Sequence, residues 1–224
     1  MYYMIHTCLD REWYVTNYLV PSLLEQGIPN EEIKIWLDES FEGNLYACMN
    51  SFADCGKRSG STWHLQDDVV ISKDFYEITK KQDPSIIICG FVGKDVGPNI
   101  EKDGIVPYYK MWWSFQCIQI PNKIAGDCAR WFFEDYQYRN VHGIQAKIQS
   151  RKNDDWFFNR FLREHHPYDD VLNLKPNLVD HIDNLLGGSI VNKERTRNHT
   201  SPYFDKQIVE DLEKKLKEDG RLKS

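Results

Sequence analysis

Three short apolar runs, each ending in acid, alternate with two helical patterns over the first 72 residues, and this order constrains the fold most. Tyr2 to Cys8 leads into Leu9-Asp10-Arg11. Ile33 to Leu37 ends in Asp38-Glu39, and the run opening at Thr62 breaks into Asp67-Asp68 before Val69-Val70-Ile71-Ser72. Runs this short and this rich in β-branched residues read as buried strands. Between them, Glu12 to Gln26 carries Tyr14, Val15, Tyr18, Leu19, Leu23 and Leu24 at helical spacing, with Pro21 set to kink it or start a second short helix. Asn44 to Cys55 places Leu45, Cys48, Met49 and Phe52 on one helical face, with Gly56 as the stop. Strands alternating with helices imply βαβ units and a mostly parallel sheet. Right-handed crossovers then bring the strand C-termini to one edge, where ligands bind in such folds. Asp38 and the Asp67/Asp68 pair fall at that edge.

Adjacent carboxylates repel and stay hydrated unless a cation sits between them. Asp67-Asp68 therefore reads either as a polar turn after a strand or as a site for Mg²⁺ or Mn²⁺ holding a phosphate-bearing substrate.

Further along, Lys73 to Lys81 reads as a short helix and Ser85 to Phe91 as a buried strand. Val92 to Pro107, with three Gly and two Pro, reads as a mobile loop. Tyr108 to Ile120 is dense in aromatics and reads as one or two strands, with Pro121 in the first turn of a helix to Tyr136. Gln137 to Lys152 holds His142, Lys147, Arg151 and Lys152 in a loop or short helix. Asn153-Asp154-Asp155 opens a helix from Trp156 to His165, where acids suit the positive end of the dipole. Val171 to Leu174 reads as a short strand. Asn192 to Pro202 is a basic linker, and Phe204 to Lys217 is an amphipathic helix with Phe204, Ile208, Leu212 and Leu216 on one face.

At 224 residues the chain suits one domain with a full core. The net charge of -6 argues against a globally basic nucleic-acid binder. The six Cys form no Cys-x-x-Cys pair and sit mostly in apolar segments, which favours reduced, buried thiols in a cytoplasmic protein over a zinc site or disulfides. No window approaches the roughly 18 apolar residues of a membrane span. Aromatics make up 13% of the chain, enough to hint at stacking on sugars or bases as well as at core.

Four features in this order resemble the GT-A glycosyltransferases, especially small single-domain bacterial and phage-type enzymes related to lipooligosaccharide transferases. The resemblance implies an α/β, GT-A-like (Rossmann-like) mixed, mostly parallel sheet flanked by helices, with a C-terminal helix. Residues 1 to 92 resemble the nucleotide-sugar half and 108 to 190 the acceptor half, leaving 191 to 224 for the basic linker and final helix. The family's acidic triplet after a buried strand corresponds to Gln66-Asp67-Asp68, which implies Asp68 as direct metal ligand. Gln66 stands where an acid is usual. The segment Pro176 to Ser189 resembles the one that supplies a last metal ligand, implying His181. Asp154-Asp155 before a helix resembles the base position, implying Asp155, with Asp154 second and helix capping the alternative. Thr7, Arg11 and Asp38 correspond to the nucleotide pocket, with Lys57, Arg58, Arg195 and Arg197 as candidate base or diphosphate contacts or as solvated surface and linker. Trp112-Trp113 with Gln116, and Ile120-Pro121-Asn122, would face a sugar or belong to the core.

The implied activity is metal-dependent transfer, with Mn²⁺ or Mg²⁺, from a nucleotide sugar such as a UDP-sugar to an acceptor hydroxyl with inversion. The acceptor is left open between a glycan, a protein and a hydroxymethylated DNA base. A nucleotidyltransferase of related fold is the alternative enzyme, although Tyr3 to Arg11 holds no Gly for a phosphate loop. A non-catalytic nucleotide-sugar-binding module is the alternative outside catalysis.

Overall fold

Parallel pairing of the first three strands builds the edge that matters. The computed structural model describes residues 1–39, 43–92, 104–107, 115–136, 154–166, 170–188 and 203–222. Strand β1 (Tyr2–Cys8) lies between β2 (Ile33–Asp38) and β3 (Ser61–Gln66), parallel to both. Register pairs Cys8 with Asp38 and His6 with Gln66, so all three strands finish together. The sheet continues through β7 (Cys117–Pro121), β5 (Ile87–Cys89), β8 (Asp170–Asn173) and β6 (Gly104–Pro107), giving the order β2-β1-β3-β7-β5-β8-β6. Strand β7 is antiparallel to β3 and β5, β5 is parallel to β8, and β6 is antiparallel to β8. Five of these seven strands therefore run the same way: the fold is α/β with a mixed, mostly parallel sheet.

Period-2 alternation splits the core between the two sheet faces. Tyr3, Ile5, Trp63 and Leu65 pack on one face with Tyr14, Val15, Tyr18 and Leu19 of helix α1 (residues 12–25), Phe75 of α3 (Phe75–Thr79), and Leu216 of α6 (Lys206–Glu218). Met4, Ile118 and Ile120 face the other way. They meet Cys48, Met49 and Phe52 of α2 (Asn44–Cys55), Cys128 and Phe132 of α4 (residues 122–136), and Phe157, Phe158 and Phe161 of α5 (Asp154–His165). Five of the six cysteines are buried in these layers. No described helix is long and apolar enough to cross a membrane.

As expected, Pro21 stands in the first turn of a short α-helical segment, Val20–Glu25, which continues α1 after a π-type stretch, Val15–Leu19. A wide turn absorbs the hydrogen bond that proline cannot donate. Other expectations are corrected by packing. Gly104–Pro107, expected inside a loop, is a strand, because its backbone finds β8 as a partner. Residues 93–103 of that loop lie outside the described residues. Pro121 closes β7, and the helix begins at Asn122.

Gly56 does end α2, but not through a left-handed conformation: its φ is -60°. It is needed because α2 and α4 cross there. A Cβ on Gly56 would stand 2.6 Å from the Gly126 Cα, and one on Gly126 would stand 2.8 Å from the Gly56 Cα. These are backbone atoms that cannot rotate away. Alanine gains about 1 kcal/mol over glycine in helix propensity, whereas overpacking costs about 1–3 kcal/mol. Gly126→Ala is therefore expected to lower stability in urea unfolding, and a variant as stable as the parent would contradict the crossing.

A second, two-stranded sheet carries the consequence for function. Strand β4 (Val69–Ile71) pairs antiparallel with β9 (Val179–His181), setting Val69 opposite His181. The Ile182 N–H donates to the Asp68 carbonyl at 2.8 Å and the Ser72 N–H to the Leu178 carbonyl at 2.8 Å. This ladder joins residues more than a hundred positions apart.

Candidate active site

The site grows from the end of β3. Once Gln66 leaves the ladder, Asp67 and Asp68 follow at the shared strand edge. The Cys8 N–H donates to Asp67 Oδ2 at 3.4 Å, tying this turn to the end of β1. Asp68 turns toward β9, where its Oδ2 lies 3.0 Å from His181 Nε2. On the far side of the ring, Nδ1 lies 3.6 Å from an Asp183 oxygen. Arg11, on the turn after β1, is only 3% exposed. Its Nη2 donates to the Gly188 carbonyl at 2.6 Å and so pins the turn that follows β9. Gly187 and Gly188 take φ of +96° and +89°, a left-handed conformation that suits glycine.

The two adjacent aspartates are not equivalent. Burial and the neighbouring Asp68 charge push Asp67 up to about 7, against the pull of Arg11 and of hydrogen bonds from Thr7 and the Cys8 N–H. Burial also acts to raise Asp68, but the His181 ring and Arg11 outweigh it and hold this carboxyl below its usual range. His181 responds in kind: burial acts to lower it, and the Asp68 and Asp183 charges raise it above the ordinary histidine value. A like-charge pair has thus split into a carboxyl that readily holds a proton and a firm carboxylate.

Buried polar atoms of this site lack a hydrogen-bond partner among the described residues, Asp68 Oδ1 and Arg11 Nη1 being two of them. Asp68 Oδ1 is buried with no hydrogen-bond donor, and Arg11 Nη1 is buried with no acceptor. The guanidinium lies close enough for its charge to act on both aspartates, but no ion pair joins it to either. Leaving such atoms unsatisfied costs about 1–3 kcal/mol each. What satisfies both at once is a ligand with a cationic and an anionic part.

The donor set also suits an octahedral divalent cation. Neighbouring vertices of an octahedron with bonds of roughly 2.1 Å are about 3.0 Å apart. Asp68 Oδ2 and His181 Nε2 are 3.0 Å apart, joined by an ordinary N–H···O hydrogen bond whose proton a cation would displace. Asp183 sits behind the ring and cannot share the ion. No group of three or more His, Cys, Asp or Glu converges on one point among the described residues. Asp68 and His181 are the two side chains that a cation at this edge would meet among the described residues.

Asp154 and Asp155 form the first turn of α5, where Asp154 Oδ1 accepts the Asp155 N–H at 3.0 Å. Burial, then the Asp155 charge, push Asp154 up to about 7, and the Asp68 charge contributes in the same direction. The acid pair thus lies within the electrostatic reach of the strand-edge site.

Other expected contacts resolve differently. Thr7 is buried at the edge, its hydroxyl within reach of both the Asp67 carboxyl and the Cys8 carbonyl, the latter at 3.3 Å. Asp38 ends β2 at the same edge and accepts the Gly43 N–H at 3.1 Å. The Gln66 carboxamide makes no hydrogen bond among the described residues, while its backbone N–H donates to the Gln116 carbonyl at 3.2 Å. Lys57 and Arg58 are not brought here. They precede β3 and so sit at its amino end, bound to Asp54 at 3.6 Å and 2.7 Å, with Arg58 over the Tyr2 ring. Strand β3 itself separates them from Asp67 by roughly 20 Å. Asn122 is at that far end too, a buried bridge from the Thr62 hydroxyl at 2.7 Å to the Ser59 carbonyl at 3.0 Å. Ile120-Pro121-Asn122 therefore sits at the sheet edge opposite Asp67 and Asp68. Trp112, Trp113, Arg195 and Arg197 lie outside the described residues.

Two features are not visible in the sequence pattern. One is Asp183, whose only signal is its place two residues after His181. The other is a buried pair, His6 Nε2 and His64 Nδ1, 3.0 Å apart, with the Ser51 hydroxyl 3.5 Å from His6. Burial lowers His6 to about 4, and burial together with His6 holds His64 well below the ordinary histidine value, so both rings are neutral. Neither strand sequence shows that residues 6 and 64 become neighbours.

No protein-family model matches the chain, and no curated protein matches it in sequence. Among solved structures, the crystal structure of A197 from STIV is similar in fold. It is 14% identical, with 81% of this chain and 86% of that chain covered and a TM-score of 0.42. The chemistry of the site therefore has to be read from its own atoms.

Proposed function

We propose that the chain is a metal-dependent glycosyltransferase that uses a nucleotide sugar, with a UDP-sugar as the first donor to test. The observation that carries this reading is the pair of unmatched atoms, Asp68 Oδ1 and Arg11 Nη1, buried beside the Asp68–His181 clamp. A divalent cation bound to a diphosphate supplies the positive and negative parts such a site needs. Asp68 and His181 would hold Mn²⁺ or Mg²⁺. When bound, that ion neutralises charge developing on the leaving diphosphate. Arg11 would donate from Nη1 to a phosphate oxygen. Arg195 and Arg197 are further candidates for the diphosphate, Asp38 for the ribose, and Thr7, Gln66 and Asp67 for the nucleotide around them.

The reaction needs one more group. The acceptor oxygen forms a bond to the anomeric carbon while the bond from that carbon to the diphosphate oxygen breaks. The acceptor proton must leave, and Asp155, or Asp154 beside it, receives it. Attack in line with the leaving group inverts the anomeric centre. A carboxylate pair with one member raised to about 7 is suited to this near neutral pH. The acceptor hydroxyl belongs to a glycan, a protein or a hydroxymethylated DNA base. The net charge of -6 weighs against the last.

Calorimetry tests this reading without knowledge of the acceptor. UDP is expected to bind in Mn²⁺ and to weaken roughly tenfold or more when EDTA removes the ion. A parallel screen of UDP-, GDP- and TDP-sugars for metal-dependent hydrolysis identifies the donor. The proposal fails if no nucleoside diphosphate binds with Mn²⁺ present.

A further inference from the structure

The two edges of the large sheet are finished differently. At one edge, β6 is four residues long and closes on Pro107, which has no N–H to offer another strand. At the other, β2 is six residues long and contains no proline. Among the described strands β2 pairs with β1 alone, so one side of its backbone has no ladder partner there. Ile35, in the middle of the strand, is 45% exposed. A regular edge with an exposed apolar residue is a template for another strand.

The residues of β2 suit one occupant, a second copy of β2 running antiparallel. Side chains alternate along the strand. Lys34, Trp36 and Asp38 share the face on which Trp36 packs against the α2 layer, and Ile35 and Leu37 share the other. With a two-fold axis at Trp36, Lys34 stands opposite Asp38 of the second copy, Ile35 opposite Leu37, and the two Trp36 side chains opposite each other. Residues directly opposite lie on one face with Cβ atoms about 4.5–5.5 Å apart, so every one of these pairs is favourable. Lys34 has no ion-pair partner among the described residues. Asp38 accepts the Gly43 N–H at 3.1 Å, and a carboxylate has further lone pairs for an ammonium.

Other axes lose this match. An axis at Ile35 sets Lys34 against Trp36 and Glu32 against Asp38, two like charges. An axis at Leu37 sets Asp38 against Trp36 and Glu39 against Ile35. Axes at Lys34 or Asp38 put two identical charges face to face. Charge therefore selects the register centred on Trp36.

We propose that two copies of the chain associate through β2, antiparallel and in this register, joining their sheets across a two-fold axis. The proposal is independent of the transferase reading.

Sedimentation of the full chain tests it. At about 100 μM the parent is expected at twice the 26.5 kDa of one chain, as suits the weak pairing of a small interface. Lys34→Glu and Asp38→Lys each create two like-charge pairs, and each alone is expected to weaken the dimer about tenfold or more. Mixed, they form opposite-charge pairs at both positions, and the dimer is expected to return. Ile35→Lys tests the same strand at an exposed position without touching Asp38, and is expected to weaken the dimer with unchanged circular dichroism. A parent that sediments as a single chain at this concentration overturns the proposal. So does a dimer that neither Lys34→Glu nor Ile35→Lys weakens, because the contact then lies on another face. Folded Lys34→Glu and Asp38→Lys proteins that stay apart when mixed overturn the register, and assemblies that grow beyond two chains overturn the two-fold.

Discussion

Asp68→Asn is expected to lower turnover of the donor at least about 10³-fold and to abolish Mn²⁺-dependent UDP binding, while the protein still folds. The size follows from the site. Asp68 is the firm carboxylate of the pair, and its second oxygen is the acceptor left without a donor. Asparagine keeps the shape but removes the charge that an ion would neutralise. Two structural effects oppose each other. Losing the contact to His181 removes a favourable buried pair, and the loss of such a partner has cost 3–5 kcal/mol elsewhere. Losing the like charge beside Asp67 relieves a repulsion that pushes that carboxyl up to about 7. The amide also stays within hydrogen-bonding range of the ring, so the fold is retained. Thermal unfolding with and without Mn²⁺ separates the effects. The parent is stabilised by the ion with UDP, and Asp68→Asn is not. Turnover at the parent rate by a folded Asp68→Asn protein would remove Asp68 from the mechanism.

The second large effect is expected at the start of α5. Asp155→Asn should lower kcat by about 10²- to 10⁴-fold with donor binding unchanged, the range over which a general base contributes. The pair it shares with Asp154 sets the pH dependence. Below about 7 the pair retains a proton, so the rate is expected to rise with pH through that region and then level off. Asp154→Asn, which removes the neighbouring charge, should move this limb to lower pH. Stability moves the other way. A carboxyl whose folded pKa lies above its unfolded value of 3.8 makes the folded state bind more protons. Stability from this group is therefore greatest below the unfolded value and falls as pH rises to about 7. At pH 8, Asp154→Asn should accordingly be more stable than the parent by about 2 kcal/mol, after discounting a partly exposed group, and nearly equal at low pH. An unchanged pH–rate profile in Asp154→Asn, or full activity in Asp155→Asn, would dismiss the pair as base and leave only its place in the helix's first turn.

Much of the fold could be read from local pattern. Tyr2–Cys8 and Asn44–Cys55 begin and end where the apolar spacing puts them, and β2 ends one residue later, at the acid itself. Such elements are specified by residues close in sequence, through period 2 or period 3.6. Strand β6 was not legible, because Gly104–Pro107 pairs only when β8 is beside it. Gly56 was legible as an ending but not for its reason, which is Gly126 on another helix. Lys57 and Arg58 were adjacent to the acidic turn in sequence and remote from it in space. A strand reverses nothing along its length, so what precedes it emerges at the opposite edge.

Asp67, Asp68 and Asp38 were placed at one sheet edge by the sequence alone, since alternating strands and helices force parallel strands to finish together. What local pattern did not contain is the partnership at that edge, which only the resemblance implied for Asp68 and His181. Pairing of β4 with β9 sets His181 3.0 Å from Asp68, and the turn beyond brings Asp183 behind the ring and Gly188 onto Arg11. Those contacts are made by backbone ladders across long separations and follow no local period. They decide which of two adjacent aspartates keeps its charge, because that depends on what lies within a few ångströms after folding.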